Sequence, residues 1–260
     1  MDVLELTRAL VRIDSTTGRE GPAAEHLATF LEQRGWTVVR QRVLEGRFNV
    51  YAHLGRPVVV FSSSLAVFGG SGDLPLPEVV DDQTRPNPQT SYGAQKAMSE
   101  QLLADYTRKG FLRGRALRLV SVSVRPGRPN AAASGFMSGV IREPLAGQRA
   151  ICPVTPETEV ALASPAKAIA GLLSAATASD EAWGGRTAVN LPALTISLAD
   201  MATALARVAG PEVSALIDWV PDPEIARMVA SWPARVRADR AGRLGLTPDP
   251  DFDSIIGMHI

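Results

Sequence analysis

The sequence predicts an α/β fold with a mostly parallel sheet, preceded by a segment of two helices and a hairpin. Two apolar runs, PVVVF (57–61) and ALRLVSVSV (116–124), have the continuous hydrophobicity of strands buried on both faces. Between them, residues 91–109 carry apolar side chains at helical spacing. This alternation of strands and helices is typical of α/β proteins.

Four elements are predicted before residue 57, two helices and then two strands, at residues 2–12, 22–34, 36–44 and 48–54. The helices follow from apolar residues that recur on one face, and DSTTGREG (14–21) separates them. The strands alternate apolar and polar residues around a turn at Glu45–Gly46, which predicts a hairpin. We expect this hairpin to pair with the sheet in which residues 57–61 form a central strand.

After the first buried strand, residues 69–90 are rich in Gly, Pro and Asp, which predicts a loop. The second buried strand ends at RPGRPN (125–130), because neither a helix nor a central strand tolerates these residues. The basic residues Arg113, Arg115 and Arg118 are expected on a solvated loop and strand edge. The remaining predicted elements are helices near 133–145, 164–177, 197–209, 222–230 and 249–257 and a strand around 186–191.

The composition excludes several classes of partner. The 260 residues include 27 basic and 27 acidic side chains, so the chain has no net field to hold nucleic acid or an anionic membrane. No apolar run approaches the roughly 20 residues that span a bilayer. Cys152 is the single cysteine, which excludes an internal disulfide and fits a reducing compartment. We expect a cytoplasmic protein without nucleic-acid or membrane partners.

The strongest chemical signal is Tyr92-Gly-Ala-Gln-Lys96 at the start of the helix predicted at 91–109. Positions i and i+4 share one helical face, so the phenol and the ammonium can reach the same cleft. A nearby positive charge stabilises a phenolate, which a tyrosine needs in order to take a proton from an alcohol. A bare Y-x-x-x-K also occurs by chance.

Three serines, Ser62–Ser64, follow the first buried strand. Open α/β sheets bind ligands at the carboxyl ends of their parallel strands, so a hydroxyl there can hydrogen-bond a substrate oxygen beside the tyrosine. The alternative is that these serines only cap a turn.

The motifs FSSSLAVFGG (61–70), SYGAQKAMSEQLLADY (91–106) and RPGRPNAAASGF (125–136) occur in an order that is more specific than any of them alone. With them, residues 57–260 resemble the extended short-chain dehydrogenases of the NAD-dependent epimerase/dehydratase family, above all its sugar-acid oxidoreductases. The resemblance implies a Rossmann-like sheet, NAD as cofactor, and oxidation of a sugar-acid alcohol with hydride transfer to NAD. Apart from the resemblance, a homodimer through the helix that bears Tyr92 is also an expectation.

The resemblance carries roles over to individual residues. Ser64 matches the family's catalytic serine, Tyr92 its acid/base tyrosine, and Lys96 the lysine that holds the nicotinamide ribose. The resemblance also implies that Tyr92 contacts the cofactor. Val120-Ser121 stands where the family usually has Pro-Thr, and Ser121 is the expected nicotinamide contact at that place.

The substrate-binding residues expected from the resemblance are Ser64, Asn130 and Arg142, since residues 119–130 match the stretch that enters the family's substrate pocket. An arginine fork suits the carboxylate of a sugar acid, and Arg125, Arg128 and Arg142 are the candidates. The alternative for each is an ordinary surface arginine.

The N-terminal segment, residues 1–61, resembles the opening of zinc-dependent deacetylases and peptidases, the family of acetylornithine deacetylase and succinyl-diaminopimelate desuccinylase. That family's first metal histidine follows the strand after the hairpin, where this chain has SSSLAV (62–67). Histidines occur only at positions 26, 53 and 259, so we expect no metal. The chain is therefore interpreted as a fusion, with an incomplete deacetylase-like segment at 1–56 and a truncated dehydrogenase-like domain at 57–260.

The truncation bears on the cofactor. The dehydrogenase family begins with a strand and a glycine-rich turn whose backbone amides hold the pyrophosphate. GREG (18–21) lies between two predicted helices, and GGSG (69–72) is followed by Asp73-Leu74-Pro75, which does not open a helix. We therefore expect NAD to bind weakly. The alternatives to an oxidoreductase are a non-enzymatic fusion remnant and a metal-dependent deacylase or peptidase.

Overall fold

The computed structural model describes residues 3–16, 19–127 and 133–260. The chain divides into two compact units. The first unit is Met1–Pro57 with Gly110–Arg113, and the second is Val58–Lys109 with Gly114–Ile260. Within the described residues, no helix is both long enough and apolar enough to cross a membrane.

The first unit contains two helices and a hairpin: α1 (Val3–Val11), α2 (Gly21–Glu32), β1 (Thr37–Leu44) and β2 (Arg47–His53). A proline in the first turn starts α2, and Gly46 adopts a positive φ of 67° in the hairpin turn. Arg40 of β1 forms ion pairs with Glu25 and Glu32 of α2. The strands β1 and β2 pair antiparallel with each other over Thr37–His53.

The first elements of the second unit are β3 (Val58–Ser64), α3 (Ser91–Arg108), β4 (Arg113–Leu119), β5 (Ser121–Val122), α4 (Phe136–Leu145), β6 (Ala150–Cys152) and β7 (Glu159–Ala163). The elements that follow are α5 (Pro165–Thr177), α6 (Asp180–Trp183), β8 (Val189–Asn190), β9 (Leu194–Ser197), α7 (Leu198–Ala209), α8 (Pro211–Ser214), β10 (Ile217–Trp219), α9 (Pro223–Ala230), α10 (Asp239–Arg243) and α11 (Phe252–Gly257). The strands β6, β7, β9 and β10 have only three to five residues each, too few for the hydrophobic pattern to predict them.

Parallel pairing dominates the second unit. β3, β4 and β8 form one sheet in that order, β5, β7 and β9 form another, and β6 pairs with β10. The pairs β4–β8, β5–β7 and β6–β10 are parallel, and β7–β9 is antiparallel. The predicted α/β class with a mostly parallel sheet is confirmed.

Two expectations about the strand at 57–61 are wrong. β3 lies at the end of its sheet rather than at the centre, and Val59 and Ser62 on it are exposed. The hairpin of β1 and β2 forms a two-stranded sheet of its own among the described residues and is not paired with β3. An apolar run indicates that a strand prefers to be buried, but it does not determine which strands pair with that strand in the sheet.

The central strand is β4, and it contradicts the expectation that its arginines are solvated. Arg115 is 2% exposed and Arg118 is 5% exposed. Arg115 pairs with Asp180 of α6, and Arg118 pairs with Glu100 of α3. Both guanidinium groups are buried because helices distant in sequence supply their carboxylates.

Candidate functional site

A cavity of about 610 Å³ lies in the second unit, where β3 and β5 end and α3 begins. Its lining comprises Ser62–Ala66, Thr90, Tyr92, Leu119–Val122, Arg125, Ser134, Met137, Glu159–Ala161, Met228, Val229, Trp232 and Pro233. Much of this wall is apolar, and the polar groups are concentrated on the strand ends and the start of α3. Its volume is within the range of small-molecule sites.

The serines at the end of β3 face different surroundings because side chains alternate along a strand. Ser63 is 2% exposed, whereas Ser64 is half-buried. The Ser64 hydroxyl accepts a hydrogen bond of 3.2 Å from the amide of Ala66. This bond caps the 3-10 turn formed by Leu65–Val67. Ser64 therefore caps a turn and also lines the cavity.

The start of α3 lies directly against this turn. The Thr90 hydroxyl caps the helix by accepting a hydrogen bond of 3.0 Å from the amide of Gly93. A Cβ atom on Gly93 would overlap the carbonyl oxygen of Ala66, so only glycine allows this approach. The close approach brings Tyr92, which is 54% exposed, to the rim of the cavity beside Ser64.

Lys96 lies one helical turn after Tyr92 and faces the same strand end. Its Nζ atom donates a hydrogen bond of 2.6 Å to the carbonyl oxygen of Ser62. The same atom is 5.5 Å from the centre of the Tyr92 ring and 4.8 Å from that of Phe61. The ammonium group is therefore held close to the phenol ring.

A buried ion pair fixes the next turn of α3. Arg118 donates from Nε and Nη2 to the two carboxylate oxygens of Glu100, at 2.9 and 2.7 Å. The Ser63 hydroxyl donates to the same carboxylate at 2.5 Å, and the Arg118 guanidinium lies 4.8 Å from the centre of the Phe68 ring. We call Ser63, Glu100 and Arg118 the buried clamp, because they join β3, α3 and β4.

Sequence reasoning missed the buried clamp. Its signals were present: Glu100 follows Lys96 by four residues on the helix, and Arg118 interrupts an otherwise apolar run. An arginine within a buried strand requires a carboxylate partner. The sequence alone does not identify that partner.

The other predicted site residues have different placements. Ser121, on β5, lines the cavity. Arg142 is absent from the described lining, because its Nη2 pairs with Glu143 and its Nη1 donates to the carbonyl oxygen of Arg125. The predicted role of Arg142 in binding substrate therefore lacks support from its position. Asn130 lies outside the described residues.

The loop at 69–90 is anchored to distant parts of the second unit. Val80 forms an isolated parallel bridge with Val236. The carboxylate of Asp82 accepts hydrogen bonds from the backbone amides of Asn190, at 3.0 Å, and Arg240, at 3.1 Å. Residues 69–72 open no helix, and the backbones of Ser71 and Leu74 exchange hydrogen bonds in a tight turn.

The described part of the chain contains no group of three or more His, Cys, Asp or Glu side chains placed to hold a metal ion. Cys152 is buried, and burial raises the pKa of its thiol, which disfavours the thiolate that a metal needs.

Comparisons with known proteins agree with these features. Residues 42–160 match the model of the NAD dependent epimerase/dehydratase family. D-erythronate dehydrogenase of Cupriavidus necator is 50% identical over 205 residues, and that of Haemophilus influenzae is 40% identical over 201 residues. These alignments cover 79% and 77% of this chain, but 62% of each relative. The chain thus spans about three fifths of the length of these relatives.

A solved structure, the nucleoside-diphosphate-sugar epimerase from Agrobacterium tumefaciens, is similar with a TM-score of 0.74 and 43% identity, covering 79% of this chain and 59% of that one. The Rossmann-like fold predicted from the motifs is confirmed, and residues 42–160 have the similarity to the epimerase/dehydratase family that the motifs predicted. A shorter match, 42% identical over 53 residues, is to a probable carboxypeptidase of Aspergillus clavatus, covering 20% of this chain and 13% of that protein.

Replacing the glycine at the close approach, Gly93→Ala, should destabilise the fold by about 1–3 kcal/mol, because the new methyl group overlaps backbone. Gly242→Ala is the matched control, since it is also helical and its Cβ would meet nothing within 4 Å. That control should gain about 0.5–1 kcal/mol from helix propensity. Urea unfolding measures both, and equal stabilisation of the two variants would contradict the close approach.

Removing one partner of the buried clamp, Arg118→Met, should cost about 3–5 kcal/mol, because Glu100 is left charged and buried. Arg108→Met is the control, because it breaks the exposed pair with Asp105 on α3, and this loss should cost far less stability. Similar urea midpoints of unfolding for the two variants would show that the buried pair stabilises the fold no more than the exposed pair does.

Proposed function

Because the chain matches the NAD dependent epimerase/dehydratase family over residues 42–160, we propose that it is an NAD-dependent oxidoreductase that acts on an alcohol of a sugar acid. The substrate class is supported by the two D-erythronate dehydrogenases to which the chain is similar. The observation that carries the proposal is the placement of Ser64 and Tyr92 on one cavity wall, with Lys96 beside the phenol.

The proposed chemistry assigns one role to each of these groups. Tyr92, as phenolate, takes the proton from the substrate hydroxyl. The Lys96 ammonium group stabilises the negative charge on the phenolate. The Ser64 hydroxyl donates a hydrogen bond to the reacting oxygen and holds it toward Tyr92. When bound, NAD supplies the acceptor for the hydride.

The cavity fits one half of the cofactor. Ser121 lines the cavity, and Lys96 lies beside Tyr92 but outside the described lining; both offer polar groups suited to the nicotinamide ribose. Leu119, Val122 and Ala161 offer an apolar wall for a flat ring. The described residues provide no glycine-rich turn that opens a helix for the pyrophosphate. We propose that this chain holds the nicotinamide half and contributes little to the adenosine half.

We further propose that residues 1–56 are a separate, incomplete segment from the deacetylase and peptidase family, with residues 57–260 as the dehydrogenase-like domain. The short match to a probable carboxypeptidase supports this origin. A non-enzymatic fusion remnant is the alternative outcome of the activity test below.

We propose a cytoplasmic location, supported by the single cysteine, and a homodimer through α3. The dimer is supported by exposed apolar side chains on α3, spaced four residues apart: Met98, Leu102 and Tyr106. Such a stripe lies along one helical face.

Tyr92→Phe should abolish NAD reduction with D-erythronate, because the phenyl ring cannot accept the substrate proton. Tyr51→Phe is the control, since that hydroxyl contacts Gln41 in the hairpin and should leave the rate unchanged. Absorbance of NADH at saturating substrate measures both. Wild-type turnover by Tyr92→Phe would remove the tyrosine from the mechanism, and no turnover by the native chain would favour the non-enzymatic remnant.

NAD should bind this chain with a dissociation constant in the millimolar range. Three or four lost contacts at the pyrophosphate and adenosine ribose, each worth roughly 1.5–3 kcal/mol, weaken binding by about a thousandfold or more. Isothermal titration should give similar affinities for NAD and nicotinamide mononucleotide, which carries only the nicotinamide half. Low-micromolar binding of NAD with weak binding of the mononucleotide would reveal a phosphate site elsewhere in the chain.

A further inference from the structure

The cavity wall has few charged side chains, and one of them is paired with a residue outside the lining. The described lining contains two charged side chains, Arg125 and Glu159. Glu159 accepts hydrogen bonds from Nη2 of Arg235 at 2.9 and 3.1 Å on its two oxygens. This carboxylate raises the pKa of the Arg235 guanidinium, as expected for a formed ion pair. The remaining charge in the wall is therefore the cation of Arg125.

Arg125 has no carboxylate partner among the described residues. It is half-buried, and its Nη2 donates to the carbonyl oxygen of Ser134 at 3.4 Å, a long contact. The undescribed stretch nearest to it in sequence, residues 128–132, reads Arg-Pro-Asn-Ala-Ala and contains no acid. A guanidinium has five N–H donors, so most of its capacity stays available to a ligand.

The neighbouring arginine has a different role. Arg142 pairs with Glu143, and its Nη1 donates at 3.0 Å to the backbone oxygen of Arg125. The Arg125 amide donates to the Ser138 hydroxyl at 3.1 Å. Two contacts from α4 thus hold the backbone of Arg125, while its side chain lines the cavity.

We propose that Arg125 binds the carboxylate of a short 2-hydroxy acid, and that Arg142 is a positioning residue for Arg125. A planar guanidinium matches a carboxylate with two parallel hydrogen bonds. The acid's hydroxyl then lies toward Tyr92 and Ser64, which line the same cavity. This assignment deepens the proposed function and rests on it for the identity of the reacting hydroxyl.

Binding without cofactor tests the proposal on the complete 260-residue chain. Saturation-transfer NMR titrations with D-erythronate and with the uncharged polyol erythritol should give an affinity at least tenfold higher for the acid. Arg125→Gln should lower the affinity for D-erythronate at least tenfold and leave that for erythritol unchanged. Arg125→Lys should recover part of the loss, because it keeps the charge and loses the fork.

Arg149→Gln is the matched control, since this exposed arginine pairs with Asp218 outside the lining and should leave both affinities unchanged. Thermal unfolding of each variant shows whether it is folded. Equal affinities for the acid and the polyol, undetectable binding of D-erythronate, or native affinity in Arg125→Gln would each overturn the proposal. A third titration, with UDP-glucose, tests whether Arg125 recognises a phosphate instead of a carboxylate. If Arg125→Gln weakened the binding of UDP-glucose but not that of D-erythronate, the proposal would also be overturned.

The experiments can reject the carboxylate site at Arg125 and the proposed oxidoreductase activity independently of each other. Acid binding that depends on Arg125, in a chain that reduces no NAD, would support the carboxylate site and reject the oxidoreductase. Turnover that is abolished in Tyr92→Phe but unaffected in Arg125→Gln would support the oxidoreductase and reject the carboxylate site.

Discussion

The buried pair of Glu100 and Arg118 is the interaction on which the geometry of the cavity depends. It joins the helix that carries Tyr92 and Lys96 to the central strand, and Ser63 ties the same carboxylate to the strand that ends in Ser64. Taking both charges out of water is costly, and the two hydrogen bonds between them, with a third from a hydroxyl, offset that cost. Without this pair, the Lys96–Ser62 hydrogen bond and the approach of Gly93 to Ala66 would still join α3 to the end of β3, but α3 would lose its buried ion pair with the central strand.

The cavity wall is built from two kinds of structure, strand and helix ends held by backbone contacts and larger apolar side chains. The strand ends and the first turn of α3 are held by backbone contacts, of which the approach of Gly93 to Ala66 is the tightest. The lining also includes larger apolar side chains, Met228 and Trp232, in and just after α9. The lining therefore combines a few polar groups with larger apolar side chains, a composition common in small-molecule sites.

Local features of the site were predictable from the sequence, and features that depend on distant partners were not. The spacing of Tyr92 and Lys96 predicted a shared helical face, because four residues along one helix determine that geometry without any other part of the chain. Arg118 was expected on the surface, because its partner Glu100 becomes its neighbour only after folding. The position of β3 at a sheet end, and the choice of Arg125 rather than Arg142 as the cavity cation, likewise depend on tertiary neighbours.

The spacing of these contacts along the chain has a consequence for the order of folding. The contacts of the buried clamp span 37 and 18 residues, and that of Lys96 with Ser62 spans 34. The bonds that anchor Asp82 span 108 and 158 residues. Short loops close at a smaller entropic cost and therefore earlier. During synthesis, the groups proposed to transfer the proton can therefore come together before Met228 and Trp232, which complete the apolar part of the cavity lining, have left the ribosome.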